Sequence, residues 1–175
     1  MIRPWDKPLR LHELSAGPLA VRLEPDAEQR AAVAKRLGLL SLPSLTADLR
    51  LKPWLDGVEV TGRFDAVVEQ TCGVTLEPFE TRIEGEVFVQ AVPAGSPNAP
   101  DAEAAEMELD LDAPDPPDVL PGDAIDLGWY VAEHLALELD PFPRKPGAVF
   151  EYQPPAEESS PFAALKALKE PKDRG

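Results

Sequence analysis

Side chains suited to nucleophilic catalysis or metal binding are scarce in this chain, which has one cysteine and two histidines. A structural zinc site takes four Cys or His ligands and often draws two of them from a CxxC pair. The residue three positions after Cys72 is Thr75, and His12 and His134 lie far from it in sequence. The sequence therefore predicts no metal site and no cofactor.

A catalytic thiol would need a neighbouring base and an oxyanion stabiliser. His134 precedes Glu138 by four residues in a predicted helix, a spacing typical of a solvated ion pair. His12 alternates with Leu11 in a predicted strand, and the sequence has no glycine-rich phosphate loop. We therefore predict a protein that is not an enzyme. A hydrolase or transferase that uses Cys72 stays as an alternative.

The segment TCGVTLEP, which carries Cys72, separates two runs of alternating apolar and polar residues. Such alternation predicts half-buried antiparallel strands, here over 57–70 and 79–91. The segment between them is then a hairpin connection, in which Leu76 is free to pack and Cys72 is a small, semi-buried residue. On this interpretation the shape of the turn matters more than the sulfur.

Other strands are predicted nearer the N-terminus from the same alternation. One covers 44–52, and an earlier pair is expected around Leu9 and Leu11 and then from Leu19 to Leu23. The Asp-Gly pair at 56–57 is a tight-hairpin signal that joins the 44–52 and 57–70 strands.

Two helices are predicted inside the folded part. A short one near 26–37 begins at Asp26, which can cap its free amides. A longer one near 124–139 can be capped by Asp123 or Asp126, has a wide apolar stripe and ends before Pro141. The residues of that stripe are Ile125, Trp129, Ala132, Leu135, Ala136 and Leu139.

Together these elements predict an α+β fold, with a mostly antiparallel sheet that curls towards a barrel and the 124–139 helix packed on one face. Residues 1–152 are predicted to form a single domain with a disordered acidic loop at about 92–105. Residues 153–175 are predicted to be a flexible linker and a C-terminal amphipathic helix.

The net charge of −15 is unevenly distributed along the chain. Residues 64–143 hold 19 acidic residues and a single arginine, whereas residues 1–63 and 144–175 are close to neutral. RNA would be repelled by the middle of the chain, so phosphate contacts are expected only on its flanks. The candidate RNA-binding residues are Arg50, Lys52, Arg63, Arg144 and Lys145.

The compartment can also be inferred from composition. One cysteine cannot form an internal disulfide, and the charged N-terminus has no apolar segment typical of a signal peptide. No run approaches the roughly 18 apolar residues of a membrane span. We expect a cytoplasmic protein without membrane or DNA partners.

Three motifs, in order, give the chain a resemblance to a known family. The first motif is a Cys-containing turn that continues into Thr-Leu-Glu-Pro. The second is IDLGWYVAEHLALELDPFPRKPG, and the third is PFAALKALK near the C-terminus. This order resembles the YceD family, the large ribosomal RNA subunit accumulation proteins of bacteria and plastids, and most of all its alphaproteobacterial branch. The family's motif positions fall on Cys72, Thr75, Leu76, Glu77, Pro78, Asp126, Leu127, Glu133, Pro143, Arg144, Pro161, Phe162, Leu165 and Lys166.

The resemblance implies a non-enzymatic cytosolic factor that supports accumulation or processing of large-subunit ribosomal RNA, with that RNA or its assembly particle as a partner, either directly or through a protein. Many relatives carry a second cysteine three residues after the first, where this chain has Thr75. A role that depends on two sulfurs cannot therefore apply here. The alternative from another class is an acidic adaptor that contacts basic ribosomal proteins without touching RNA.

Overall fold

The computed structural model describes residues 5–100 and 115–150. The predicted C-terminal helix, with Pro161, Phe162, Leu165 and Lys166, lies outside these residues, as do residues 101–105 of the predicted acidic loop. The described elements, in chain order, are β1 (Pro8–Arg10), a 3-10 turn (Leu11–Ala16), β2 (Leu19–Leu23), α1 (Ala27–Leu37), β3 (Ser41–Trp54), β4 (Gly57–Thr71), β5 (Pro78–Pro93), β6 (Asp118–Leu120), β7 (Ala124–Asp126) and α2 (Leu127–Glu138).

The main sheet has five strands in the order β2-β3-β4-β5-β6, and only the β5–β6 pair is parallel. The predicted α+β class and mostly antiparallel sheet are confirmed, but the barrel is wrong. Within the described residues the two edge strands β2 and β6 do not pair, and β6 is only three residues long. The apolar face is buried by helices instead of by closure of the sheet, because α1 packs on β3 and α2 on β5.

The three long strands confirm the predictions from alternation: β3 and β5 extend one to three residues beyond each predicted end, and β4 extends one residue beyond 70. In β3, Leu45, Leu49 and Leu51 are buried while Asp48 and Arg50 are exposed. The buried side chains face the helices and form the core with their counterparts in β4 and β5. The opposite side, which we call the outer face, carries Arg50, Thr61, Phe88 and the side chains that alternate with the core residues.

Helix α1 begins where the sequence predicts. The Asp26 carboxylate accepts a hydrogen bond from the Gln29 amide at 2.8 Å, and the Gln29 side chain accepts one from the Asp26 amide at 3.0 Å. Gly38 ends the helix with a φ of +70°, a left-handed conformation that glycine adopts without strain.

Of the two predicted caps of α2, Asp126 is the one that the structure shows, so the helix begins at Leu127 and not at residue 124. Residues 124–126 form β7 instead. Both predicted early strands are present as β1 and β2, although Leu11 lies in the 3-10 turn. β2 joins the main sheet beside β3, whereas β1 pairs with β7 in a separate two-stranded sheet. This register turns Leu127, Val131 and Leu135 into the core, while Ala136 is exposed. Trp129 is half-buried, and the Arg36 guanidinium lies 4.8 Å from the centre of its ring.

Candidate functional site

Two separate motifs meet at the closed end of the β4–β5 hairpin, where the turn at 72–77 connects the two strands. We call this contact the motif joint; it consists of the turn at 72–77 and the segment 143–145. The Gly73 amide donates a hydrogen bond to the Pro143 carbonyl at 2.9 Å. The Lys145 ammonium lies 3.0 Å from the Glu77 carboxylate. The structure therefore brings together residues that are about seventy positions apart in sequence.

The Cys72 sulfur lies at the centre of the motif joint and is fully buried. It accepts hydrogen bonds from the amides of Val74, Thr75 and Lys145, each at 3.4 Å. A hydrogen bond from the Thr75 side chain, followed by these amides, lowers the pKa of the thiol to about 6. The prediction that Cys72 is semi-buried is wrong, because its side chain is fully buried and its sulfur accepts amides from both segments of the joint. The prediction that the shape of the turn matters more than the sulfur stays a prediction.

Thr75 explains how the turn works without a second cysteine. Its hydroxyl makes a hydrogen bond to the sulfur and also accepts the Glu77 amide at 3.4 Å. Hydrogen-bond donors stabilise a thiolate relative to a thiol. At this position the chain therefore has a group that stabilises a single negatively charged sulfur.

The tip of the turn exposes a large apolar side chain. Leu76 has a φ of +60° and is 77% exposed, so the prediction that it packs is not met within the described residues. A positive φ at a residue other than glycine is uncommon and costs free energy, and such strain is concentrated at functional sites. Phe142, which precedes the joint's second segment, is also 77% exposed. Contiguous exposed apolar surface marks interaction sites, so these two side chains are the candidates for partner contact at the joint.

The motif residues at the start of α2 have a structural role. The Asp126 carboxylate accepts hydrogen bonds from the amides of Lys7 at 3.0 Å and Trp129 at 3.2 Å. The Leu127 side chain is buried, and its amide donates to the Lys7 carbonyl. Asp126 thus caps the helix and joins it to the N-terminal segment.

Replacing Asp126 with alanine should lower the free energy of unfolding by about 1–2 kcal/mol, because the variant loses the cap and leaves two amides without their acceptor. Asp126→Asn is the matched control and should retain most of the stability, since its side-chain oxygen can still accept. Urea denaturation followed by tryptophan fluorescence measures both variants. Equal losses would contradict a capping role.

Glu133 lies on α2 at a groove of about 500 Å³ between the two helices. The groove is lined by apolar residues of both helices and by Arg36. The predicted His134–Glu138 ion pair is not found; instead His134 makes a 2.8 Å hydrogen bond with the Tyr130 carbonyl. Its other ring nitrogen accepts the Phe88 amide of β5 at 3.5 Å, so this histidine connects α2 to the sheet. His12 lies in the 3-10 turn and not in a strand.

The candidate RNA-binding residues occupy two places. Arg50, Lys52 and Arg63 lie on the outer face, whereas Arg144 and Lys145 belong to the motif joint. About ten residues of strand separate the two places, or roughly 34 Å. They do not form one basic patch.

The structure also identifies a residue that the sequence interpretation did not single out. Phe88 is 60% exposed on the outer face. The alternation of β5 already placed position 88 away from the core, so the signal was present. Whether Phe88 can take part in a binding surface depends on its cross-strand neighbours, and these became known only with the register of the sheet.

In the described part of the chain, no group of three or more His, Cys, Asp or Glu side chains is arranged to hold a metal ion. None of the helices between residues 5 and 100 or between 115 and 150 has the length and apolar character needed to cross a membrane.

The open sheet, its covering helices and the motif joint define a small α+β protein in which the turn at 72–77 is hydrogen-bonded to the segment 143–145 at one end of the sheet. A family model described as "Large ribosomal RNA subunit accumulation protein YceD" matches residues 60–169, which is more than half of the 175 residues. The chain therefore belongs to the YceD family, as its three motifs predicted. No curated protein and no solved structure matches it.

Proposed function

We propose that this protein supports the accumulation of large-subunit ribosomal RNA as a cytoplasmic binding factor in assembly of the large subunit, and that it catalyses no reaction. The observation that carries the proposal is the family match over residues 60–169, which contains both segments of the motif joint. The description of that family names the large-subunit RNA.

The chemistry of the joint favours binding over catalysis. Each sulfur contact is a hydrogen bond that holds the turn, and the sulfur is closed off from solvent. A nucleophile has to reach its substrate, and Cys72 has no such access in this conformation. The exposed groups are Leu76 and Phe142, which can contribute apolar contact to a partner.

Cells that lack the protein should show a lower ratio of large- to small-subunit ribosomal RNA, and the wild-type gene should restore it. A Leu76→Ser, Phe142→Ser double variant should fail to restore the ratio, because it removes the apolar contacts of the joint while changing only exposed side chains. Leu137→Ser is the matched control, since Leu137 is 78% exposed on α2. A normal ratio in the deletion strain would overturn the proposed function. Full restoration by the double variant would show that Leu76 and Phe142 of the joint are not needed for that function.

The second candidate is the acidic adaptor, and one observation favours it. Towards the motif joint, the outer face carries Asp65, Glu69, Glu80 and Glu84, with Arg82 as the one base among them. Arg82 is already engaged by Asp65 and Glu84. A net negative surface of this kind suits a basic protein. Pulldown of basic ribosomal proteins after ribonuclease treatment would support the adaptor over a factor that acts through RNA.

A further inference from the structure

The end of the outer face farthest from the motif joint presents an aromatic ring. Phe88 on β5 is 60% exposed and lies opposite Thr61 on β4, which in turn lies opposite Arg50 on β3. Directly opposed residues of antiparallel strands share a face, with Cβ atoms about 4.5–5.5 Å apart. The ring, the hydroxyl and the guanidinium therefore form one row across three strands.

Arg63 lies beside this row, and we count it as part of the row below. It follows Thr61 by two residues on β4, so it lies on the same face and about 7 Å further along the strand. Its direct cross-strand neighbours are Asp48 and Glu86. The two arginines thus lie on neighbouring strands beside an exposed aromatic ring.

The carboxylates around this row are mostly occupied by other bases. Asp48 is held by Arg22 at 3.0 Å, and Glu59 by Lys52 at 2.6 Å. The hydrogen bonds from Lys52 and then from Gln90 hold the pKa of Glu59 below its ordinary value. Lys52, one of the sequence candidates, is therefore already neutralised.

Arg50 and Arg63 differ from the other bases of the face. Among the residues that the structure describes, neither forms an ion pair, whereas Arg22, Lys52 and Arg82 each do. Glu86 is the one carboxylate beside Arg63 without an ion pair of its own in the described residues. The row therefore offers two cationic groups to an external anion, opposed by Glu86 and by the one carboxylate in excess where Arg82 is shared between Asp65 and Glu84.

Two exposed guanidinium groups next to an exposed aromatic ring on an open sheet match one class of ligand. Single-stranded RNA supplies phosphates for the arginines and unstacked bases for the ring. Duplex RNA fits less well, because its bases are already stacked and paired. A protein partner could cover Phe88, but it would need carboxylates placed to meet both arginines.

We propose that Arg50, Arg63 and Phe88 form a platform for single-stranded RNA, in which one base stacks on the Phe88 ring and the adjoining phosphates contact the two arginines. The proposal rests on the proposed function, since it makes RNA a direct partner of this assembly factor. It places the RNA at the end of the molecule opposite the motif joint, so the two surfaces can be occupied at once.

The test uses the full chain and a fluorescently labelled single-stranded oligoribonucleotide, with binding followed by anisotropy. Phe88→Ala should weaken binding roughly five- to 150-fold, the range for one stacked base, whereas Phe88→Tyr should retain it. The slope of log affinity against log salt should be about −1.4 for two phosphates and should approach zero in an Arg50→Gln, Arg63→Gln double variant. Glu86→Gln should tighten binding, because it removes the carboxylate directly opposite Arg63.

Matched controls are Leu137→Ala and Arg10→Gln, which change exposed side chains away from the outer face and should leave the affinity unaltered. Unchanged affinity for Phe88→Ala, tighter binding of the duplex, or RNA binding that is insensitive to the two arginines would overturn the platform. If Phe88→Ala lost binding to a basic ribosomal protein but kept its affinity for RNA, the outer face would be assigned to a protein partner. This result would also overturn the RNA platform. Failure of the proposed function is a separate result, seen as a normal ribosomal RNA ratio in cells without the protein.

Discussion

The wild-type protein should lose stability as the pH falls from about 8.5 to about 6, and Cys72→Ser should remove that part of the dependence. The Cys72 thiol has a pKa of about 6 in the fold, whereas an unfolded cysteine titrates near about 8.5. Above about 8.5 the sulfur is ionised in both states, and the stabilisation is complete. Between the two values only the folded state holds the thiolate, so each step down in pH favours unfolding until the stabilisation is lost below about 6.

The measurement is a set of urea denaturation midpoints across this pH range. The difference between wild type and Cys72→Ser isolates the sulfur, because serine can accept the same amides but does not ionise there. Thr75→Val is an informative second variant, since it removes the largest cause of the lowered pKa and should narrow the pH window. Midpoints that run parallel in the wild type and the serine variant would show that the buried sulfur is not a thiolate.

Cys72→Ser also tests whether the sulfur holds the segment 143–145 to the turn at 72–77. The Lys145 amide donates to Cys72 from a segment 73 residues away. A weaker acceptor at position 72 should loosen the segment 143–145 before the rest of the fold. Limited proteolysis near this segment should therefore become faster in Cys72→Ser, while cleavage elsewhere stays the same.

The role of Cys72 could not be predicted from its own neighbourhood. The hairpin was predictable, because the alternation of apolar residues on each side is a local pattern. The chemistry of the sulfur depends on the Lys145 amide and on the backbone turn that directs the amides of Val74 and Thr75 inwards. Neither is visible in a sequence with one cysteine, and the missing CxxC pair suggested that the sulfur mattered little.

Long-range pairing also explains the errors in the helical part. Local signals placed α1 to within a residue, because its cap and terminal glycine are adjacent to it in sequence. The start of α2 was misplaced because β7 pairs with β1, more than a hundred residues earlier. That pairing moves the first helical residue to Leu127 and rotates the stripe, so Trp129 lies at its edge.

The packing of that stripe leads to the second large expected effect. Leu135→Ala should lower the free energy of unfolding by about 2–5 kcal/mol, because Leu135 is fully buried against the sheet and its loss leaves a cavity. Leu137→Ala removes the same atoms two positions along the helix, where the side chain is 78% exposed, and should change stability by less than about 0.5 kcal/mol. Helix propensity is altered identically in both variants, so their difference in urea midpoint reports burial alone. Similar midpoints for the two would mean that α2 does not pack through Leu135. Because α2 also holds His134 against β5 beside Phe88, a destabilised helix should weaken the proposed RNA binding only at temperatures or urea concentrations where the helix has begun to separate from the sheet.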